Sequence, residues 1–396
     1  MFGCMKSMIL VVFPVVLLGR SQVASAEAWP SGSRHEISIT GADDNLSGAS
    51  WNSQLHRLWV VRSKAASESG HSPDGVAWQF EYDAKTGVFV GGNEPIYLPS
   101  SAGTDIEACT QVALNNESQL YVMAENQGRI VQFNDLGSED VTYKYWDLEE
   151  QNNGHAMPPE NNDGLGAEGL EFVTDEALLA AEFRFPNGDP FTGSQKGMGG
   201  LMFVGHQLNG QLWVFDVNPN ITDDFVNYGS FNTSADEIAG LHFDRASGLF
   251  YIWHNPGSSF WNTLEVTRMT SSTVGTVDSL VIFDTEVPDG NLEGIAIVGQ
   301  DLCGAYSADE GERLFFFSHD DPGFDGGPPL FYFKHFSCGI ECDQSLTAVG
   351  IQELLYILQE WGTSDPLADI THDGTVGQAD LMLAITLWGT CTVDQN

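Results

Sequence analysis

One motif recurs along this chain and limits what it can fold into. A small or acidic residue, usually followed by glycine, opens a short apolar run at Ser47-Gly48-Ala49, Glu107-Ala108-Cys109, Glu168-Gly169-Leu170, Ala239-Gly240-Leu241 and Glu293-Gly294-Ile295. The intervals between the leading positions are 60, 61, 71 and 54 residues. A turn and a second, richer apolar run follow each motif: HRLWVVRS, QLYVMAEN, ALLAAEF, GLFYIWHN and DLCGAYSADE. The units hold further strand candidates, among them VAWQFEYD, GRIVQFN, DVTYKYWDL, SLVIFDT, RLFFFS and LFYFKHF. LMFVGHQLNGQLWVFDV adds the Asn-Gly signal of a hairpin. Repetition at a near-constant period means that each unit buries its faces against its neighbours.

Four antiparallel strands per unit, repeated radially, predict an all-β fold, a β-propeller. Five blades are expected, and the long interval from Glu168 to Ala239 leaves room for a sixth. Two packed β-sandwiches are the competing arrangement, against which the regular interval argues. HEISIT, residues 35–40, is expected to add a strand that closes the ring with the last blade.

In a propeller the first strand of each blade lines the central channel, so equivalent positions face one another. Glu107, Glu168 and Glu293 hold that position in three units, and Ser47 and Ala239 hold it in the other two. Three converging carboxylates repel unless a cation sits between them or some are protonated. A hard cation with oxygen ligands, Ca2+ before Mg2+, is one solution. The other is that the glutamates cap backbone N–H groups of the neighbouring blade. The second runs end in Arg62, Glu125, Glu182, His254 with Asn255, and Asp309 with Glu310. These ends are expected near one face of the disc, either lining a cleft or merely solvated. In a catalytic cleft, Glu182 and His254 are the candidate bases.

Charge narrows the choice of partner. The 396 residues carry 15 basic and 55 acidic side chains, a formal net charge of -40. Such a surface repels nucleic acid and anionic membranes. Lys6, the apolar stretch Met8 to Gly19 and the small residues Val23-Ala24-Ser25-Ala26 read as an export signal over residues 1–26. The stretch falls short of the ~20 residues of a membrane span. The expectation is a monomer that is secreted or held at the cell surface. Export permits disulfides, and the five cysteines after residue 26 leave at least one unpaired. Cys338 or Cys342 could reach Cys391, with Cys109 and Cys303 elsewhere. No G-x-S-x-G nucleophile elbow and no phosphate loop occurs.

Residues 27–337 are thus read as the propeller and residues 338–396 as a second, helical module. VGIQELLYILQEWG (349–362) and VGQADLMLAITLWG (376–389) align at an offset of 27 residues, each closing on Trp-Gly. DITHDGTVGQAD, residues 369–380, fits a calcium loop. Asp369, Thr371 and Asp373 fall at positions 1, 3 and 5, Thr375 offers its carbonyl at 7, and Asp380 stands at 12. With Asp at position 12 and the helix following, the loop looks like a dockerin repeat. The first copy lacks its loop, so the tail resembles a degenerate dockerin with one Ca2+ site. That resemblance implies docking onto a cohesin-like or cell-surface partner, often in polysaccharide-degrading systems.

The ordered motifs LSGASWN, DIEAC, MAEN, GLGAEGLEF, AEF, IAGLHFD and NLEGIAI resemble the SdiA-regulated family of β-propellers and the broader phytase-like and esterase-like group. The match spans about residues 41–336. Ala239 stands where that family has Ser, and WHN and SADE replace its usual strand ends. The resemblance implies fold more than function. Two functions follow from the sequence. One is a calcium-binding scaffold for a ligand or partner, with an attachment tail. The other is a calcium-dependent hydrolase of a phosphoester, ester or lactone at the channel mouth. Whether the chain is an enzyme is left open.

Overall fold

The computed structural model describes residues 27–28, 33–39, 46–62, 75–92, 95–138, 140–149, 166–208, 210–255, 262–269, 274–285, 291–306, 308, 311–320, 328–337, 346–348, 351–364, 368, 375–386 and 391–393. Two short N-terminal strands, β1 (Glu27–Ala28) and β2 (His35–Glu36), precede five successive sheets. The first sheet contains β3 (Leu46–Asn52), β4 (Arg57–Arg62), β5 (Gly75–Asp83), β6 (Val88–Gly91) and β7 (Ile96–Leu98). The second contains β8 (Ile106–Thr110), β9 (Leu120–Ala124), β10 (Arg129–Asn134) and β11 (Thr142–Asp147). The third contains β12 (Ala167–Thr174), β13 (Gly200–His206), β14 (Gln211–Val217) and β15 (Phe225–Asn232). The fourth contains β16 (Ile238–Asp244), β17 (Leu249–His254), β18 (Thr263–Thr267) and β19 (Ser279–Asp284), and the fifth β20 (Leu292–Ile297), β21 (Glu312–His319) and β22 (Leu330–Ser337).

Each sheet is an antiparallel meander whose first strand touches the first strands of its neighbours, and β3 touches β20, so five blades form a closed ring. β2 pairs with β22 as the outermost strand of the fifth blade, in the register His35–Tyr332 and Glu36–Phe331. The chain's beginning thus completes its last blade, within the stretch the sequence pointed to. β1 adds to β19 in parallel at the edge of the fourth blade. Among the described residues there is no sixth blade. The extra length after Glu168 is a helix, Asp175–Ala180, and a loop leading to β13.

The strands read as near-continuous apolar runs because the blades stack face to face and bury both sides. An apolar cluster fills each of the five gaps between blades. Trp51 stacks on Phe316 between the first and fifth blades, and Phe203 packs on Phe250 between the third and fourth.

Two second strands differ from the sequence expectation. ALLAAEF forms the helix Asp175–Ala180 and its exit, and the second strand of the third blade is β13. Leu and Ala are strong helix formers, and the Thr174 hydroxyl caps the helix by accepting from Ala177 N. DLCGAYSADE begins with the 3-10 turn Gln300–Leu302, and the second strand of the fifth blade is β21.

In the tail, helices Ile351–Gln359 and Gln378–Thr386 pack on each other, and Leu346–Ala348 pairs with Cys391–Val393. Ile357, Ala368 and Val376 are buried together. Gly362 ends the first helical stretch with φ of 82°, and its N–H donates to Val376 O at 2.8 Å. Asp369, Thr371 and Asp373 lie outside the described residues. Among the described residues no helix is long and apolar enough to cross a membrane. Cys303 is disulfide-bonded and Cys109 is a buried free thiol.

Candidate functional site at the hub

The five motifs share a backbone device. The ladder between the first and second strands slips at the same point in every blade, within Leu46–Ala49, Ile106–Ala108, Ala167–Gly169, Ile238–Gly240 and Leu292–Ile295. The leading residue of the motif, Ser47, Glu107, Glu168, Ala239 or Glu293, lies in each of these bulges. A β-bulge turns its side chain away from the normal alternation. Five bulges at one level therefore aim five side chains at one axis.

The residue after the bulge explains the recurring glycine. A Cβ built on Gly48 would lie 2.5 Å from Ala108 Cα, and one on Gly240 would lie 2.6 Å from Glu293 O. Gly294 faces Ser47 O in the same way. Inner strands of adjacent blades approach so closely at the hub that four of the five positions carry hydrogen in place of a side chain.

Glu107, Glu168 and Glu293 meet there. Each offers a carboxylate oxygen within 4.8 Å of the others, and they are 6, 5 and 7% exposed. Glu293 Oε1 accepts from Asn291 Nδ2 at 2.7 Å. Glu168 Oε2 and Glu293 Oε2 are buried with no hydrogen-bond partner. Burial pushes Glu107 up to about 8, reinforced by Asp105, Glu125 and Asp320 and opposed by the Ser47 hydroxyl. Burial and the other hub carboxylates hold Glu168 and Glu293 well above the usual carboxylate range.

Glu107 also belongs to a second group with Asp105 and Glu125, within 4.8 Å of one another at the channel mouth. Glu125 follows β9 and accepts Gly166 N at 2.7 Å, which ties the second blade to the third. Asn255 Nδ2 donates to Asn291 Oδ1 at 3.2 Å across the fourth and fifth blades. Of the strand-end residues expected at a cleft, Glu125 and Asn255 stand at this mouth.

The others do not. Glu182 is exposed beyond the far end of β12, and Arg62 is buried over Trp78. Asp309 and Glu310 lie outside the described residues. His254 is fully buried and its Nε2 lies 3.0 Å from Glu265 Oε2. Burial alone would raise Glu265, but its bonds to His254, Ser279 and Ser234 hold it below the usual carboxylate range.

His206 and His319 end the true second strands of the third and fifth blades, where the sequence reading had Glu182 and Asp309 with Glu310. Both are buried, as is His254. A signal for them exists: FVGH, YIWH and FFSH are three apolar runs closed by histidine.

A second tier, three residues along each inner strand, includes Ser50, Thr110, Glu171 and His242, which line a small cavity at the other end of the channel. Thr110 Oγ1 donates to Glu171 Oε1 at 2.6 Å, and Phe243 N donates to Glu171 Oε2 at 3.1 Å. Burial pushes His242 down to about 3, with Arg313 and Arg245 adding and Asp244 opposing. The signal for this tier in the sequence is its place three residues after each leading residue.

In the tail, Asp380 is buried and its Oδ2 accepts Gly377 N at 2.7 Å, closing the start of its helix.

No protein-family model and no curated protein matches this chain. Solved structures resemble it distantly. A chain of the nidogen/laminin complex aligns over 70% of this chain and 72% of its own at 10% identity and a TM-score of 0.36. Pseudomonas aeruginosa periplasmic gluconolactonase PpgL aligns over 64% and 58% at 12% identity and 0.32. Saccharomyces cerevisiae Sqt1 aligns over 67% and 54% at 13% identity and 0.30.

Proposed function

We propose that this chain is an exported, calcium-binding β-propeller scaffold whose hub holds Ca2+ on Glu107, Glu168 and Glu293. The observation that carries this is the pair of buried, unbonded oxygens, Glu168 Oε2 and Glu293 Oε2, in a three-carboxylate cluster within 4.8 Å. Ca2+ takes oxygen ligands at about 2.3–2.6 Å, so one ion spans oxygens so spaced and replaces the protons that burial otherwise forces on them. The export segment and the acidic surface support a place outside the cell. The motif order supports kinship with the SdiA-regulated and phytase-like propellers. The tail is proposed as a dockerin-like module that binds Ca2+ through Asp369, Thr371, Asp373, Thr375 and Asp380 and attaches the scaffold to a cohesin-like or cell-surface partner, in polysaccharide degradation.

Calorimetry of the full chain with CaCl2 after chelation tests this. Wild type is expected to bind at both hub and tail. Glu168→Gln is expected to lose the hub equivalent and Asp373→Ala the tail equivalent. Unchanged stoichiometry and affinity in Glu168→Gln would rule out the hub site.

A second reading, a calcium-dependent hydrolase, is favoured by one observation. Asp105 is only partly buried and joins Glu107 and Glu125 at the mouth, where an ester, lactone or phosphoester could approach. Glu182 lies beyond the far end of β12 and His254 is buried against Glu265, so the base would come from the mouth's own carboxylates. Calcium-dependent turnover of such a substrate panel, abolished by Glu168→Gln and untouched by removing the tail, would support it.

A further inference from the structure

In a chain this acidic, the placement of cations is informative. Of only 15 lysines and arginines in the sequence, three arginines, Arg184, Arg245 and Arg268, line one cavity of about 800 Å3. It lies between the third and fourth blades, at the end of the inner strands away from the glutamate triad. Thr174 closes β12 there, Phe243 to Gly248 form the turn from β16 to β17, and Arg268 follows β18 directly.

The three guanidinium groups are held differently. Arg245 is anchored on backbone carbonyls, Gln111 O at 2.6 Å and Val112 O at 3.3 Å, and lies over the Phe172 ring. Arg184 donates to Gly188 O at 3.1 Å from an exposed position. Arg268 is partly buried and makes no hydrogen bond or ion pair among the described residues. Burial pulls its pKa down, the cost of withdrawing a guanidinium from water, and the neighbouring Tyr251 opposes that shift. In a molecule with 55 acidic side chains, a partly desolvated arginine that lines a cavity, with no carboxylate bound to it among the described residues, suits an anion. Glu176 and Glu182 stand in the same wall, and the three arginines outnumber them. Phe243 and the methyl groups of Ala177, Ala180 and Ala246 give the cavity an apolar side.

We propose that this cavity binds a small organic oxyanion, a carboxylate- or phosphate-bearing molecule whose charged head is clamped by Arg184, Arg245 and Arg268 while its body covers Phe243 and the alanines. The volume lies within the range of about 300–1,000 Å3 usual for small-molecule sites. Arginine presents paired donors that match the two oxygens of such a head group. The site is separate from the hub and does not depend on metal there.

Calorimetry of the full chain with three probes tests the proposal: D-glucuronate, inorganic phosphate and uncharged D-glucose. Saturable binding of D-glucuronate, without binding of glucose, is expected. Tighter binding of phosphate than of glucuronate would assign the head group to a phosphate ester, and the reverse order to a carboxylate. Arg268→Gln is expected to weaken anion binding about tenfold or more, with Arg268→Lys retaining part of it. Arg184→Gln changes an exposed residue, so its folding is not at risk, and it should weaken binding about threefold or more. No saturable anion binding up to about 10 mM, equal binding of glucose, or wild-type affinity in both glutamine variants would overturn it.

Discussion

Glu293 and Gly294 divide one task between two neighbouring residues. The glutamate occupies the bulge and reaches the axis, while the glycine lets the next inner strand pass. Their separation gives a residue-scale prediction. Gly294→Ala would drive a methyl group into Ser47 O, Ala49 N and the Ser318 hydroxyl, two of them fixed backbone atoms. It is expected to destabilise the protein by roughly 1–3 kcal/mol in urea unfolding, the usual cost of overpacking. The second blade already carries Ala108 at the matching position, and Ala108→Gly is expected to cost only about 0.5–1 kcal/mol. Equal stability of Gly294→Ala and wild type would mean that the hub is looser than its spacing indicates.

At the scale of the element, the parts legible in the sequence were those whose side chains are committed twice. The inner strands had to supply a hub residue and, in four of the five blades, a glycine beside it, and the Asn-Gly pair in the sequence signalled the β13–β14 hairpin. The second strands of the third and fifth blades were obscured by insertions. The run Asp175–Ala180 is apolar enough to pass for a strand, yet its Ala and Leu content and the Thr174 cap favour a helix. The paired residues His206 and His319 were lost with those strands. β2 is short, but Ile37 after it is 4% exposed and donates its N–H to Leu330 O at 3.0 Å. Removing residues through Ile37 is expected to lower the unfolding free energy by about 3 kcal/mol or more, from the buried isoleucine and the lost backbone bonds. Denaturation of the shortened chain at the wild-type midpoint would show that β2 does not seal the ring.

For the whole molecule, stability should depend on pH in a direction set by the hub. A carboxyl raised on folding contributes fully below its ordinary value of 4.5, and the contribution is lost as pH rises through the folded value, about 8 for Glu107. Glu168 and Glu293 shift in the same direction, and burial raises Glu171 as well. His242 has the opposite sign. Its contribution is present above its ordinary value of 6.5 and is lost as pH falls toward about 3. Between pH 6.5 and 8 the carboxyls therefore dominate. The chelated protein is expected to lose Tm steadily across that window, and Ca2+ to restore more of it at the upper end. A flat Tm profile in chelator would contradict the buried triad. The three glutamates come from the second, third and fifth blades, and the last blade is finished by a strand roughly 300 residues earlier in the chain, a contact of very high sequence separation. The triad is incomplete until the fifth blade joins the second and third, so an occupant cannot nucleate the early steps of assembly. It acts as a latch set after the final closure, slowing reopening while leaving the earlier steps of folding untouched.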